Sequence, residues 1–476
     1  MKTATNNIIL KNNITPFFVA ILAVALIFFT LLATEKITVS PFTLVAIAIL
    51  SSITIIILAF LNPTQLLLLF IAYLPFSYVF PGGFGIQTWA INATNVFILA
   101  MLMGAFSQKA KYNIKLFPRS SLSLWLFIFI ILIAASFIKG TLYFGAFYFE
   151  RFISSFKEWL TPILTFFIVL PLIKNKNDIK DIAIVTMCVI TIVGLITIRE
   201  SINLGFSSDI DKMRAGSIFE QPNIAGSFFV YYSFLFMGFI LFNLKRLRYW
   251  LLSAPLLLAV RALTDTYSRG AMLAFIAGSL FVAFIKNKLI FVLLIFAFLA
   301  ALFIPGIMPE TVKQRFQETF IEPTELYQPA LETTLETSAS SRIKIWKGAW
   351  EMIKAYPLFG VGYGVFPHMI SSYAEVGRMD AHNAYIIIAA EMGLITLAVF
   401  LVILLIIFRN TLWVYKRVND KTVKAVALGF LGGFIGFLVC NLFGSRFETQ
   451  SLSGIFWILT AAMVKARYLK IKGQLD

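Results

Sequence analysis

The sequence has few charged residues and almost no cysteine or histidine. Asp, Glu, Lys and Arg make up 13% of its 476 residues, whereas 59% are hydrophobic and the mean hydropathy is +0.87. Soluble domains carry about 25% charged residues, so the composition excludes a soluble protein of this length and indicates an integral membrane protein. The two cysteines, Cys188 and Cys440, both lie within apolar runs, which leaves no basis for a disulfide framework or redox chemistry.

Apolar runs recur along the whole chain and predict an all-α fold. Roughly 20 apolar residues span a bilayer as a helix, and about fourteen runs approach that length, so we expect a polytopic bundle of about 12–14 transmembrane helices. The first run lacks a small-residue cleavage site and is expected to remain as an anchor. The expected spans lie near residues 15–33, 41–60, 64–80, 92–106, 121–137, 158–173, 180–198, 223–243, 249–263, 270–285, 289–306, 383–408, 425–443 and 450–464.

Positive charge is concentrated in alternate loops. The net charge is +17, and with a cytoplasmic N-terminus the inside segments hold 23 of the 40 Lys and Arg residues but only four of the 23 acids. The inside face then nets +19 and the outside face −2, as expected when basic loops stay in the cytoplasm. Membrane topology therefore explains the excess positive charge, so binding of nucleic acid is not expected. Both termini are predicted to be cytoplasmic.

On this topology the chain divides into three parts. Residues 1–306 hold the first eleven spans, residues 307–382 form a long outer loop, and residues 383–476 hold the last three spans and a basic cytoplasmic tail. Within the loop, residues 341–356 predict an amphipathic helix that lies on the outer membrane surface. Its predicted apolar face comprises Ile345, Trp346, Ala349, Trp350 and Ile353.

The first of three outward motifs is "RAGSIFEQPNIAGS", residues 214–227. Pro222 suits the first turn of a helix, which places Arg214 several residues before that helix and near the membrane surface. Taken alone, Arg214 is more readily explained as an interfacial arginine that extends towards lipid headgroups.

The second motif is "TDTYSRGAML", residues 264–273, which places Arg269 at the outer end of a span. A positive side chain at a helix N-terminus is unfavourable unless an anion binds there, so the motif favours an anion site. Gly270 is expected to leave room for the ligand. Ser268 lacks the glycine-serine-glycine elbow of a nucleophilic serine.

The third motif, "DAHNAY", begins at Asp380 and places His382 at the outer mouth of the twelfth span. A histidine here is compatible with a simple polar boundary residue. Histidine is also the side chain best suited to proton transfer near neutral pH, and Asp380 could orient it. The other histidine, His368, has no neighbours that suggest a function.

Several further patterns do not predict chemistry. The "GVGYG" stretch at residues 360–364 is interpreted as a loop bend, because a chain with this many spans does not provide the setting of a channel filter. Asp209 and Asp211 lack further ligands, so no metal is expected. The chain has no phosphate-binding loop, and its cytoplasmic segments are too short to bind a nucleotide sugar. A donor would therefore have to arrive already activated, and no cofactor is expected.

The motifs "RAGSIFEQPNIAG", "YSRGAML", "RIKIWKGAWEMIKAYPLFGVGYGVF" and "HNAYIIIAAEMGLITL" occur in this order over residues 214–396. Together they resemble the O-antigen ligase and polymerase superfamily, while the N-terminal half matches only as a pattern of spans. The resemblance implies glycan transfer outside the cytoplasmic membrane, from an undecaprenyl-diphosphate carrier to an acceptor hydroxyl. It also implies catalytic roles for Arg214, Arg269 and His382.

These roles suit the residue types. Arginine presents a fixed, charged fork to phosphate oxygens, so Arg214 and Arg269 would hold the diphosphate and stabilise the charge that leaves with it. His382 would accept the proton of the acceptor hydroxyl, which gives direct displacement with inversion. Further candidates for substrate contacts are Arg342, Lys344, Asn223, Asn383 and Asp380.

The acceptor is left open by the sequence. An O-antigen ligase of the bacterial inner membrane, with lipid A-core as acceptor, is the first choice. A repeat-unit polymerase and a protein O-oligosaccharyltransferase are the alternatives, and a flippase or transporter of lipid-linked sugar is a fourth. A transporter is expected to place charges near the bilayer midplane, whereas the mid-span regions here are nearly free of charge.

Overall fold

The computed structural model describes residues 41–78, 92–112, 120–207, 209–304, 339–447 and 449–475. These residues form helices and connecting turns, with no strand among them. The helices are α1 Pro41–Leu61, α2 Pro63–Tyr73, α3 Ala93–Tyr112, α4 Ser121–Phe144, α5 Ala146–Val169, α6 Lys176–Leu204, α7 Pro222–Phe242, α8 Ser253–Asp265, α9 Arg269–Lys286, α10 Lys288–Phe303, α11 Ala339–Ala355, α12 Ala384–Arg417, α13 Lys421–Cys440 and α14 Gln450–Ile471.

The all-α, multi-pass membrane fold is confirmed. Nine helices within the described ranges are long and apolar enough to cross a membrane. Every expected span coincides with a helix except that at residues 15–33, which lies outside the described residues. The largest difference is at α5, which begins at Ala146 rather than near residue 158. Charged residues such as Arg151 and Lys157 interrupt the apolar run there without interrupting the helix.

Helix α7 lies at the centre of the bundle and packs closely against α13. A Cβ on Gly433 would lie 1.9 Å from the carbonyl oxygen of Tyr231, and a Cβ on Gly238 would lie 2.1 Å from that of Ala425. Small residues at such crossings let two helix backbones approach each other. This close packing fixes the ends of α7 and α13, and both helices contribute to the site described below.

The helix connections place the three sequence motifs at one end of the bundle. The C-terminus of α8 and the N-termini of α7, α9 and α12 all lie at that end. At the opposite end, Lys176 on α6 pairs with Asp420 before α13 at 3.1 Å, and Lys286 lies 3.7 Å from the ring centre of Phe242. The basic turns and the motif loops therefore lie at opposite ends, as the charge distribution predicts.

Helix α12 is broken at Gly393, where φ is +89°. The segment after α11 packs into the break, because Leu394 N–H donates to the Pro357 carbonyl at 2.8 Å and Val361 N–H donates to the Ala390 carbonyl at 2.9 Å. The buried carboxylate of Glu391 accepts hydrogen bonds from the backbone N–H groups of Gly364 and Phe366. Because its glycines all have positive φ, the "GVGYG" stretch is confirmed as a loop bend.

Helix α11, Ala339–Ala355, lies close to the predicted residues 341–356 and packs against the bundle. Ile345, Ala349, Met352 and Ile353 are buried against the protein, whereas Trp350 is 57% exposed. Most of the predicted apolar face therefore packs on the bundle, and its position relative to the membrane surface stays a prediction. The preceding part of the predicted outer loop, residues 307–338, lies outside the described residues.

We expect Gly393→Val to destabilise the bundle. A Cβ at this position would lie 2.0 Å from the Leu358 carbonyl oxygen, and the positive φ is unfavourable for any L side chain. Together these effects lower the free energy of unfolding by about 2–4 kcal/mol, measured as a lower midpoint of thermal unfolding in detergent. Gly377→Ala is the control, because a Cβ there meets nothing within 4 Å. Equal midpoints for both variants would contradict the described break.

Candidate active site

The first two motifs are held together by hydrogen bonds from the backbone and from Arg214. Ala215 N–H donates to the Asp265 carbonyl at 3.1 Å, and Arg214 Nε donates to the Thr266 carbonyl at 3.2 Å. From α6, the Glu200 carboxylate accepts hydrogen bonds from the N–H groups of Gly216 and Ser217, at 3.1 and 2.6 Å. The loop before α7 and the turn between α8 and α9 therefore form one surface.

Arg214 points along this surface towards the start of α7. Its side chain is only 6% exposed, Nη2 donates to Asn223 Oδ1 at 2.9 Å, and Nη1 lies 3.5 Å from Asp211 Oδ1. Burial of the guanidinium excludes the alternative of an arginine extended towards headgroups. Asp211, one member of the acid pair that resembles a metal site, is here an ion-pair partner of Arg214.

Arg269 is the first residue of α9, as the sequence predicts. Helix α7 crosses this helix start closely, since a Cβ on Gly226 would lie 2.8 Å from Ala271 Cβ. The side chain of Ser268 makes no capping hydrogen bond to the helix. The positive end of the α9 dipole thus adds to the charge of Arg269. Gly270, expected to leave room for a ligand, also leaves room for a protein side chain, because a Cβ there would lie 2.9 Å from Phe443 Cβ.

A cavity at this end of the bundle brings four arginines together. Its walls include Arg214, Arg269, Arg342 and Arg446, together with Asn223. The four arginines come from different elements: the loop before α7, the start of α9, α11, and the loop between α13 and α14. Guanidinium groups that converge in this way are suited to binding an anion with several oxygens.

Sequence reasoning missed Arg446. The residue is only 9% exposed, and its Nη1 donates to Gln221 Oε1 at 3.1 Å. Its backbone N–H donates to Asn441 Oδ1 at 3.1 Å. The charge distribution already places the short loop between the last two spans on the outward side, so the signal was the position of Arg446 rather than any motif around it.

His382 is held next to this cavity, although it is not among the residues that line it. The backbone N–H of His382 donates to Asp380 Oδ2 at 3.2 Å, and the ring Nδ1 of His382 lies 3.5 Å from the same oxygen. Burial lowers the pKa of His382, the charge of Asp380 raises it, and the charges of Arg342 and Arg446 lower it further. The net direction is downward from 6.5, which favours a neutral imidazole that can accept a proton at neutral pH.

The backbone around the cavity is strained. In the described part of the chain, the non-glycine residues with positive φ are Ser217, Glu220, Tyr267 and His382, and all belong to the three motifs. Such conformations are unfavourable for side chains with a Cβ and are concentrated at functional sites, where the surroundings enforce them.

The remaining candidates occupy different places. Asn223 and Arg342 line the cavity, and Asp380 contacts His382. Asn383 is buried, and its Oδ1 accepts hydrogen bonds from Tyr385 and Ile386 N–H, so this oxygen caps α12. The side chain of Lys344 is exposed and is not part of the cavity wall.

A protein-family model matches part of the chain. Residues 254–401 match the family model described as O-antigen ligase. The matched segment contains Arg269, Arg342 and His382, whereas Arg214 and Arg446 lie outside it. The match confirms the resemblance to the O-antigen ligase and polymerase superfamily. No curated protein matches the chain.

Proposed function

We propose, from the O-antigen ligase match over residues 254–401, that this membrane protein transfers a glycan from an undecaprenyl-diphosphate carrier to an acceptor hydroxyl. The observation that supports this most directly is the cavity lined by four arginines next to His382. The proposed location is the bacterial inner membrane, with the site on the outer face and both termini in the cytoplasm.

The diphosphate of the donor is assigned to Arg214 and Arg269. Arg214 is already oriented by Asn223 and the Thr266 carbonyl, so little side-chain freedom is lost on binding. Arg269 acts together with the N-terminus of α9, where backbone N–H groups favour negative charge. These groups stabilise the negative charge that develops on the diphosphate as it leaves, so the mechanism needs no metal.

The proton of the acceptor is assigned to His382. Nδ1 faces Asp380, which leaves Nε2 to accept the proton from the acceptor hydroxyl. The hydroxyl oxygen then forms a bond to the anomeric carbon while the bond between that carbon and the diphosphate oxygen breaks. One displacement of this kind inverts the configuration at the anomeric carbon.

The acceptor is proposed to be lipid A-core, which makes the protein an O-antigen ligase. Deletion of the gene is then expected to leave bare lipid A-core while polymer accumulates on its carrier, as measured by gel analysis of surface glycans and mass spectrometry of lipid carriers. Wild-type protein should restore the polymer, and His382→Ala should not.

Other outcomes of the deletion identify the alternatives. Acceptor that carries a single repeat unit identifies a polymerase, and loss of glycan from a protein identifies a protein O-oligosaccharyltransferase. Unprocessed carrier retained on the inner face of the membrane identifies a flippase and contradicts the proposed transfer reaction.

A further inference from the structure

We propose that Arg342 and Arg446 form a second anion-binding pair within the cavity, which binds the phosphate that carries the transferred sugar. Arg214 and Arg269 then bind the phosphate on the lipid side. This inference rests on the proposed function and deepens it, because it divides the donor diphosphate between two arginine pairs.

Arg446 is built into the cavity wall. Its guanidinium passes over Gly444, where a Cβ would lie 2.7 Å from Arg446 Nε, so glycine leaves room for the side chain. Its Nη1 donates a hydrogen bond to a neutral amide, that of Gln221. Of the described residues, none places a carboxylate within salt-bridge distance of Arg446. A buried charge with no carboxylate in direct contact favours an anionic ligand.

Arg342 provides an independent indication of a ligand. Its Nε is buried and has no hydrogen-bond partner among the residues that the structure describes, although Arg342 lines the same cavity as Arg446. Buried donors are almost always satisfied in folded proteins. A phosphate oxygen within the cavity would satisfy this one. Burial lowers the pKa of both guanidinium groups. For Arg446, the nearby Tyr231, Cys440 and Asp380 oppose this effect on the pKa, and the charge of Arg342 adds to it.

Proximity to His382 determines which phosphate the second pair binds. In the proposed reaction the base must lie near the anomeric carbon, and that carbon is bonded directly to the sugar-side phosphate. Hydrogen bonds place both arginines beside the loop of His382. On α11, Trp346 Nε1 donates to the Ala381 carbonyl at 2.8 Å. Ala384 N–H donates to the carbonyl of Asn441 at 2.9 Å, and the Oδ1 of Asn441 accepts from Arg446 N–H. The phosphate bound by this pair is therefore the one next to the reacting carbon, and the pair stabilises the leaving oxygen.

Binding of two lipids tests the division of the diphosphate. In full-length protein in nanodiscs, undecaprenyl diphosphate should bind at least 10-fold more weakly to Arg446→Gln than to wild type. Undecaprenyl monophosphate should bind the wild-type protein and Arg446→Gln equally, because its single phosphate is bound by Arg214 and Arg269. Arg214→Gln should weaken binding of both lipids, and Lys347→Gln, an exposed charge change on α11, should weaken neither. Unchanged diphosphate binding by Arg446→Gln, or equal weakening of both lipids, would overturn the proposal.

The pH dependence of transfer provides a second readout that a purely structural role would not change. The charged groups that act on His382 are Asp380 in its own loop, Arg342 on α11 and Arg446 in the loop after α13. Removal of the Arg446 charge raises the pKa of His382, so the acid limb of the rate profile should shift to higher pH in Arg446→Gln. An unshifted limb would contradict the placement of Arg446 beside the base. The lipid-binding test stands even if the wild-type protein shows no transfer.

Discussion

His382→Ala is expected to reduce glycan transfer by about 100- to 10,000-fold, the usual contribution of a general base. The variant should still insert into the membrane and bind carrier-linked donor, because the arginines that line the cavity are unchanged. Transfer would be measured with purified protein, carrier-linked glycan and acceptor. His368→Ala is the matched control, because that ring contacts Arg378 and Phe152 rather than the cavity. Wild-type transfer by His382→Ala would contradict the assignment of the base.

The pH dependence of transfer provides a further test of His382 as the base. The pKa of His382 is lowered from 6.5, so wild-type transfer should be constant near neutral pH and should fall only when the pH drops through that lowered pKa. Asp380→Asn removes the charge that raises this pKa, so its acid limb should shift to lower pH. This shift is opposite to that expected for Arg446→Gln. Shifts of the same sign in both variants would contradict the electrostatic arrangement around His382.

Arg214→Ala is expected to reduce transfer by about 100- to 1,000-fold, as the loss of one preformed donor to a transition-state charge does elsewhere. Arg214→Lys should restore little of the transfer activity. The guanidinium binds Asn223 and the Thr266 carbonyl while it also faces the cavity, and an ammonium group cannot reproduce this arrangement. Weakened binding of undecaprenyl diphosphate should accompany the loss of transfer.

A control separates this effect from misfolding. Arg261→Ala removes another arginine at the same end of the bundle, but its side chain is 66% exposed and pairs with Asp265. We expect near-normal transfer from Arg261→Ala, and we expect Arg214→Lys to remain folded at the temperature of the transfer assay, as measured by thermal unfolding. If Arg214→Lys transfers as fast as wild type, a bidentate contact with phosphate is not needed.

The sequence predicts the helices well because apolar runs of sufficient length have few alternatives in a bilayer. It is less informative where a helix contains charge or a break. Helix α5 begins earlier than its apolar run, and α12 is broken at Gly393, where another segment of the chain fills the break. That filling depends on hydrogen bonds between residues about 30 positions apart, and no local pattern encodes such a pairing.

The candidate site could be predicted only in part, for a similar reason. Arg214, Arg269 and His382 each carry a local signal, namely a helix start or a change from polar to apolar sequence. Their relative positions depend on contacts such as that of Ala215 with the Asp265 carbonyl. Arg446 carries no such signal, because its importance comes from burial beside residues that are distant in sequence. Trp350, on the predicted apolar face of α11, is exposed, since helical periodicity does not specify which neighbour packs against that face.

The contact between α11 and the turn before α12 has a mechanical consequence. The indole Nε1 of Trp346 donates to the Ala381 carbonyl at 2.8 Å, and Arg342 lies one helical turn before Trp346 on α11. A displacement of α11 that keeps this hydrogen bond would carry Arg342 and His382 in the same direction. One hydrogen bond thus couples Arg342, which would bind the donor phosphate, to His382, which would accept the proton of the acceptor. The two side chains would therefore move into or out of the reactive arrangement together.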